Sequence, residues 1–417
     1  NLKKFIRMKK NLNKKGWRFR NNEKRYLNRI LESDFSAGSD NYMSEKFESL
    51  FAKKHKQRFA ISSNSGTSTL HQALHAFGVG HGDEVIIPSL TVGMCGFVVW
   101  QCGATPVYAD VDKKTFFIDP EDIKKKITKK TKAIMVVHLY GLMCDMDKIL
   151  KIAKKYNLKI LEDCAQCFLA HDHKKRISGT VGDVGSWSFE SSKHLSSSEG
   201  GILTTNNKSL ALKMRKFGGL GFTNITAHSG KVRIDKNKFQ NPNWKRHNEF
   251  GYNYRMSELC AAVALAQTER IEYFVHKRIK NGNAFLNMIN ELKTKLLIPQ
   301  KIPNNYVHSF YTFVALFNGK SKGISWSNFR QKFLSLGGDG IYSAWQTVNN
   351  EPCFYSARKK GLFSGSMKIS ESYGWGETPV AIKLQKNIMQ FTTNQKNKAE
   401  LQKQILALKK TIKFFGG

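Results

Sequence analysis

Short runs of β-branched and other apolar residues alternate with helical patterns between residues 58 and 205. Between the first two runs, Leu70, Ala73, Leu74 and Phe77 repeat at the spacing of one helix face. This alternation is typical of a mostly parallel sheet with helices on its faces. We therefore predict an α/β fold whose sheet has seven strands, at residues 58–62, 84–88, 106–109, 133–138, 159–162, 184–189 and 201–205.

The pattern changes beyond residue 280, where a smaller α+β unit is indicated by strands at 310–316 and 341–345 around a helix at 326–336. The last helix places its apolar residues on one face, so we expect it to dock: Leu401, Ile405, Leu408, Ile412 and Phe415. We predict a large domain and a small C-terminal α+β domain, at residues 1–275 (with an N-terminal arm at 1–38) and 276–417.

A polar and strongly basic stretch, residues 222–248, lies between the predicted sheet and a long helix that begins near Met256. It has no helical or strand periodicity, so we predict a loop. The whole chain is basic, with 68 Lys and Arg against 32 Asp and Glu and a formal charge of +36. Such a field attracts nucleic acids and phosphorylated molecules. Because the lysines are spread along the chain without a nucleic-acid motif, we favour a solvated surface and do not expect a nucleic-acid partner.

A chain of 417 residues with 41% apolar content can bury a large core. Its longest apolar run, at 92–102, is interrupted by Gly93 and Gly96 and is shorter than a bilayer requires. The first residues lack the apolar core of a secretory signal. We expect a cytoplasmic protein that does not enter the membrane.

Seven scattered cysteines argue against a disulfide framework. Cys164 and Cys167 form a CxxC pair, which is compatible with redox chemistry but also with small residues packed at a strand-to-helix corner. No second pair or histidine cluster accompanies them. We favour packing and expect no metal site.

Three segments carry candidate chemistry. The first, Asn64-Ser65-Gly66-Thr67-Ser68, lies between a predicted strand and a predicted helix. The free N–H groups of a helix start, a glycine and several hydroxyls make a phosphate site, although the same residues also serve as a helix cap. The second is Asp163, at the carboxyl end of a strand, where a carboxylate holds a pyridine nitrogen protonated or caps a helix.

The third segment is a serine-rich loop, residues 190–200, which contains Lys193. A lysine among hydroxyls, with no carboxylate nearer than Glu190, is placed to act as a nucleophilic amine. Any single lysine of so basic a chain is more simply a solvated surface residue. The combination of an amine, a carboxylate and a phosphate site is what favours chemistry.

Seven short motifs follow one another along the chain: Ser-Gly-Thr at 65–67, Gly-Asp-Glu-Val-Ile-Ile-Pro-Ser at 82–89, Val-His-Leu-Tyr-Gly at 137–141, Glu-Asp-Cys-Ala-Gln at 162–166, Ser-Phe-x-x-x-Lys at 188–193, Glu-Gly-Gly at 199–201 and Gly-Tyr-Asn-Tyr-Arg-Met at 251–256. Their order and spacing resemble the DegT/DnrJ/EryC1/StrS family of sugar aminotransferases, which use pyridoxal 5'-phosphate (PLP) and have fold type I. The resemblance is dense over residues 35–275 and looser elsewhere.

This resemblance implies a site residue by residue. Lys193 would carry PLP as a Schiff base, Asp163 would pair with the pyridine nitrogen, and Gln166 would lie beside the ring near its phenolic oxygen. The phosphate would be held by the remaining residues of the same subunit, Gly66, Thr67 and Ser188.

The resemblance also implies partners. Asn253 would reach the phosphate of the neighbouring subunit's cofactor, so that a homodimer shares its active sites. The amino donor would be L-glutamate and the acceptor a nucleotide-linked keto-deoxy sugar, in amino-sugar or polysaccharide biosynthesis. The basic residues Lys231 and Arg233 are candidates to meet the diphosphate, and Tyr342 and Trp345 to shape the sugar pocket.

Two positions test the resemblance. Relatives with histidine in place of the lysine are 3-dehydratases, and His194 follows Lys193 directly. Glu199 lies six positions after Lys193, as in the aminotransferases, so we favour amination. Val92 stands where the family usually has an aromatic residue that stacks on the ring. His138 is a candidate base, but we expect it to be packed at its strand end.

The alternatives are a PLP transaminase of a cyclitol or another keto compound, a PLP dehydratase, and a non-catalytic relative with a regulatory or nucleic-acid-binding role. The retained lysine, aspartate and phosphate-site residues favour an enzyme over the last of these.

Overall fold

The computed structural model describes residues 18–35, 42–231, 234–354 and 378–416. The described strands are β1 (Phe59–Ser63), β2 (Glu84–Pro88), β3 (Thr105–Ala109), β4 (Thr131–Val137), β5 (Lys159–Asp163), β6 (Val184–Ser188), β7 (Gly201–Thr205), β8 (Leu297–Pro299), β9 (Thr312–Phe317), β10 (Ile341–Ser343) and β11 (Ile388–Thr392).

The α-helices of the same residues are α1 (Asn21–Glu32), α2 (Met43–Lys54), α3 (Gly66–Ala76), α4 (Met94–Gln101), α5 (Pro120–Lys126), α6 (Met146–Tyr156), α7 (Lys208–Gly218), α8 (Lys236–Gln240), α9 (Glu258–Thr268), α10 (Ile271–Leu292), α11 (Trp326–Ser335), α12 (Pro379–Gln385) and α13 (Lys398–Phe414). Short 3-10 turns lie at Leu139–Gly141, Lys320–Lys322 and Val348–Asn350.

The first seven strands form one sheet in the order β1-β7-β6-β5-β4-β2-β3. The strand pairs from β6 to β3 are parallel, and only β7 runs antiparallel to its neighbours β1 and β6 within this sheet. The mostly parallel, seven-stranded sheet is therefore confirmed. Each of the seven predicted strands begins and ends within two residues of the observed strand.

The strands of this sheet are apolar on both sides because helices cover both faces. In β2, Ile86 belongs to one core and its neighbours Val85 and Ile87 to the other, as the alternation of a strand requires. Helices α2, α6 and α9 contribute to the first core, and α3, α4 and α7 to the second. The carboxyl ends of β5 and β6, at Asp163 and Ser188, face the second sheet.

The second sheet is antiparallel, in the order β10-β11-β9-β8, and has a core of its own. Helix α10 contributes Phe274 and Val275 to the first core of the large sheet, and Phe285 and Met288 to the core of the small one. The predicted domain boundary, between residues 275 and 276, lies inside this helix. The division into domains stays a prediction.

Two elements differ from the sequence-based expectation. The long helix predicted from Met256 is divided into α9 and α10, because Arg270 has non-helical backbone angles between them. The predicted loop 222–248 contains the short helix α8, whose start is capped by Asp235.

In the described ranges, no helix has both the length and the apolar character that a bilayer crossing needs. Most of the predicted N-terminal arm lies outside the described residues.

Candidate active site

A cleft of about 820 Å³ opens at the carboxyl ends of the parallel strands, between the large and the small sheet. Six of the seven predicted site residues line it: Gly66, Thr67, Asp163, Gln166, Ser188 and Lys193. They come from α3, β5, β6 and two loops, so that only folding brings them together. Asn253, the seventh, does not line this cleft.

The start of α3 lies at the predicted phosphate site. Ser65 caps the helix by accepting a hydrogen bond from the Ser68 N–H at 3.1 Å. A Cβ atom on Gly66 would lie 2.8 Å from Cβ of Ser188, so only glycine lets α3 approach the end of β6 this closely. The Thr67 hydroxyl makes no hydrogen bond to any described residue. The helix cap therefore uses Ser65 and leaves the Thr67 hydroxyl available for a phosphate.

Asp163 ends β5 with its side chain buried. Its Oδ1 accepts the Ala165 N–H at 2.9 Å, and its Oδ2 lies 3.6 Å from Sγ of Cys95. Burial raises the pKa of Asp163, although the Ala165 N–H and the positive charge of Lys193 oppose this shift. No helix follows β5, so the alternative role as a helix cap is wrong. A buried carboxylate without a hydrogen-bonded cation fits a protonated ring nitrogen.

Gln166 is oriented by the turn that follows β4. Its Oε1 accepts the N–H of Tyr140 at 2.9 Å. Tyr140 has a φ of 63°, a left-handed conformation that points this N–H toward Gln166. Because the oxygen is occupied, the amide nitrogen of Gln166 is the group left to donate a hydrogen bond into the cleft.

The loop between β6 and β7 turns Lys193 and His194 in different directions. Lys193 lines the cleft, with Nζ 5.1 Å from the ring centroid of Tyr311. His194 is buried, and its Nε2 lies 3.0 Å from the carbonyl oxygen of Ser309. Burial lowers the pKa of His194 well below its usual value, so the ring is neutral. The structure thus presents the lysine, and not the histidine, to the cleft.

The sequence alone did not reveal several cleft residues. Arg278 on α10 donates from Nη1 to the carbonyl of Tyr311 at 2.7 Å and from Nη2 to that of Ser192 at 3.2 Å. The Tyr311 hydroxyl lies 2.8 Å from the Ser192 hydroxyl. Arg278 and Tyr311 are each more than 80 positions from Lys193 in the chain, and Arg278 is one of 68 basic residues. No local pattern distinguishes them.

His138, Glu162 and Cys164 lie close together behind the cleft. The His138 Nδ1 accepts the Cys144 N–H at 3.1 Å, so Nε2 carries the hydrogen and donates it to Glu162 at 2.8 Å. Burial alone would raise the pKa of Glu162, but this bond and backbone N–H groups lower it overall. Both ring nitrogens are used and the histidine is buried, which confirms that His138 packs at its strand end.

Comparison with known proteins decides the family. The sequence profile of the DegT/DnrJ/EryC1/StrS aminotransferase family matches residues 18–343. The chain belongs to this family. A GDP-perosamine synthase of Escherichia coli O157:H7 is 38% identical over 85% of this chain and 88% of its own length. A second GDP-perosamine synthase, from Vibrio cholerae, is 32% identical over 70% and 73%.

Solved structures agree with this result. The aminotransferase from Psychrobacter cryohalolentis has a TM-score of 0.83 and 28% identity, over 96% of this chain and 98% of its own. The E. coli GDP-4-keto-6-deoxy-D-mannose-3-dehydratase with bound hydrated PLP has a TM-score of 0.77 at 22% identity, over 94% and 97%, which shows the fold alone. The predicted aminotransferase fold is confirmed.

In this aminotransferase, Asn253 lies on the surface, where it forms an isolated β-bridge with Gly219. The carbonyl of the next residue, Tyr254, accepts the Asn64 N–H at 2.8 Å, directly before the start of α3. Phe250 and Tyr252 beside it are 74% and 39% exposed. The segment therefore presents a polar side chain and apolar rings outward.

Other predicted residues of the aminotransferase are only partly placed at the cleft. Val92 lines it, as do Tyr342 and Trp345, which are 59% and 55% exposed at its mouth. Lys231 instead forms an ion pair with Glu258, and its Nζ lies 4.1 Å from the ring centroid of Tyr42. Arg233 lies outside the described residues.

Proposed function

We propose that this aminotransferase transfers the amino group of an amino acid, L-glutamate, to a nucleotide-linked keto-deoxy sugar, with PLP held on Lys193. The observation that carries the proposal is one cleft lined by an amine, a buried carboxylate and a helix start with free donors. The 38% sequence identity with a GDP-perosamine synthase over 85% of the chain supports a sugar nucleotide as acceptor.

The residues of the cleft fit PLP. Gly66, Thr67 and Ser188 would hold the phosphate, beside the close approach of α3 to β6 that Gly66 permits. Asp163 would hold the ring nitrogen protonated, and Gln166 would donate to the phenolic oxygen. When bound, the protonated ring withdraws electrons and stabilises negative charge on the adjoining carbon of the substrate.

Lys193 would do the proton transfer. As a free amine, its Nζ would take the proton from Cα of the amino donor and later return one to the sugar carbon that receives nitrogen. His194 cannot share this work, because it is buried, neutral and held at Ser309. This arrangement supports amination over the dehydratase alternative.

The proposal is tested by loading and turnover. The purified protein with PLP should gain visible absorbance, and borohydride reduction followed by peptide mapping should fix the label on Lys193. With L-glutamate, a GDP-linked 4-keto-6-deoxy sugar, its dTDP counterpart and a keto-cyclitol should be compared by product mass. Absence of a bound chromophore would refute the proposal, and a preference for the cyclitol would reassign the acceptor. The relative named "Putative L-glutamine:3-amino-2,3-dideoxy-scyllo-inosose aminotransferase" from Micromonospora echinospora, 36% identical over 59% of the chain and 56% of its own length, motivates that arm.

The homodimer belongs to the same proposal. Asn253 is exposed beside Phe250 and Tyr252, which is the arrangement expected if a second copy covers it. Mixing the inactive variants Lys193→Ala and Asn253→Ala should restore about a quarter of wild-type activity, because half of the dimers are mixed and each has one intact site. Mixtures without activity would contradict shared sites. The cytoplasmic location stays a prediction.

A further inference from the structure

Two arginines from distant parts of the chain meet on the loop that carries Lys193. Arg18 donates from Nη1 to the carbonyl of Ser191 at 2.6 Å and from Nη2 to the carbonyl of Lys193. Arg278 donates from Nη2 to the carbonyls of Ser192 at 3.2 Å and Lys193 at 3.4 Å. Three successive carbonyls are thus bound by two guanidinium groups.

Other contacts hold the ends of this loop: the Phe189 N–H donates to the Gly200 carbonyl at 2.8 Å, the Ser197 N–H donates to the Phe189 carbonyl at 3.0 Å, and the His194 side chain is held at Ser309. Between β6 and β7, residues 189–200 form turns without helix or strand. The Lys193 N–H donates to the carbonyl of Glu190 at 3.1 Å, and the carboxylate of Glu190 accepts bonds from Ser191 and Ser192. These contacts close the first turn, but they do not reach the carbonyl of Lys193. That carbonyl depends on the two arginines.

The Arg18 side chain is not needed to attach its own segment. The main-chain carbonyl of Arg18 accepts hydrogen bonds from Gln267 Nε2 at 3.0 Å and from Arg270 Nη2 at 2.9 Å. Glu23, at the start of α1, accepts bonds from the same two side chains. The main chain of Arg18 and the side chain of Glu23 therefore dock the segment against α9 and α10. The guanidinium group of Arg18 is not needed for this docking and binds the loop instead.

The hydrogen-bond partners of the Arg18 guanidinium also indicate a role at the loop. Among the described residues, its guanidinium donates hydrogen bonds to main-chain carbonyls alone, although Glu190 is near enough to act on it through its charge. A partly buried guanidinium without a bonded carboxylate gains its stabilisation from those carbonyls. Its planar fork matches two carbonyls that are two residues apart, which a lysine cannot do.

We infer that Arg18 is a positioning residue for Lys193: it fixes the main chain on either side of the lysine, so that Nζ stays in the cleft and His194 stays in the core. Adjacent residues of an extended or turning chain point in different directions, so a rotation of this loop would withdraw the lysine from the cleft. The inference rests on the proposed function of Lys193. Arg18 acts through the main chain and touches no reacting atom.

The test uses Arg18→Met, Arg18→Lys and a matched control, Arg20→Met. Arg20 lies on the same segment, but its guanidinium stacks 5.2 Å from the ring centroid of Tyr273 and does not touch the loop. Hydrogen exchange at the amides of residues 191–195 should accelerate in Arg18→Met and not in the control, in PLP-free and PLP-loaded protein. The kcat should fall about 10- to 100-fold, the scale of a misplaced catalytic group. The KM for the nucleotide sugar should change less than kcat.

Arg18→Lys keeps the charge without the fork, so its exchange rates and kcat should lie between those of wild type and Arg18→Met. Millimolar guanidinium should restore part of the kcat of Arg18→Met. Unchanged exchange and kcat in both Arg18 variants would overturn the inference; if Arg18→Met does not fold, wild-type values in Arg18→Lys would do so. Accelerated exchange in a protein whose wild type never binds PLP on Lys193 would instead refute the proposed function and leave the contact with the loop intact.

Discussion

The close contact between Gly66 and Ser188 offers the sharpest test of the proposed phosphate site. In Gly66→Ala, the new Cβ would lie 2.8 Å from Cβ of Ser188 and 3.3 Å from its Cα. Carbon atoms pack best at about 3.5–4.0 Å, so the first contact is too short by roughly 1 Å. Neither neighbouring atom is at the end of a flexible side chain, so the start of α3 must move away from β6.

Overpacking of this kind costs about 1–3 kcal/mol. If the shift moves the α3 donors away from the phosphate, the Kd for PLP should rise about 5- to 150-fold, at about 1.4 kcal/mol per factor of ten. The assay is a titration of the apo protein with PLP, followed by absorbance, together with thermal unfolding. Gly80→Ala is the control, because a Cβ on Gly80 meets nothing within 4 Å.

A double-mutant cycle identifies the cause. Gly66→Ala should cost much less PLP affinity in a Ser188→Gly background than in wild type, since the obstructing Cβ is then absent. Equal losses in both backgrounds, or PLP binding by Gly66→Ala as tight as that of Gly80→Ala, would refute the role of this close contact.

Three further changes have defined outcomes. Asp163→Asn should retain PLP absorbance but lose about 100-fold in aminotransfer, the scale of one preorganised electrostatic partner; undiminished turnover would contradict its role. Burial lowers the pKa of His55 to about 4, so the folded state binds fewer protons than the unfolded state between about pH 6.5 and 4. Its contribution of about 3 kcal/mol is therefore complete above pH 6.5 and lost as the pH falls to 4, and urea unfolding of His55→Phe should show a weaker pH dependence in this range than wild type. Arg215→Met leaves the buried Glu48 without its cationic partner at 2.9 Å and should cost about 3–5 kcal/mol in urea unfolding, whereas a cost under about 1 kcal/mol would show that the pair is dispensable.

The sequence predicted the parts of the site that lie at strand ends. Asp163 follows a recognisable buried strand, and parallel strands bring their carboxyl ends to one edge, so its proximity to the start of α3 followed from the fold class. Lys193 was identified by its fixed interval to Glu199, within a resemblance to a family. These signals are local, and each lies within a few residues of an element boundary.

The rest depended on tertiary contacts. Arg18 is 175 residues from Lys193, and in a chain with a charge of +36 nothing in the sequence separates it from its solvated neighbours. The interruption between α9 and α10 was also missed, because neither Gly nor Pro marks it. The direction of His194 is a property of the loop conformation, which a count of residue types does not contain.

Helix α10 makes the two halves of this protein hard to exchange between relatives. A recombinant chimera joined at residues 275 and 276 would interrupt a helix whose first turns fill one core and whose later turns fill another. Arg278, just beyond that junction, would then come from a different parent than the loop it binds. Grafting a small domain to change acceptor preference thus requires α10 and the loop at 189–200 to be inherited together.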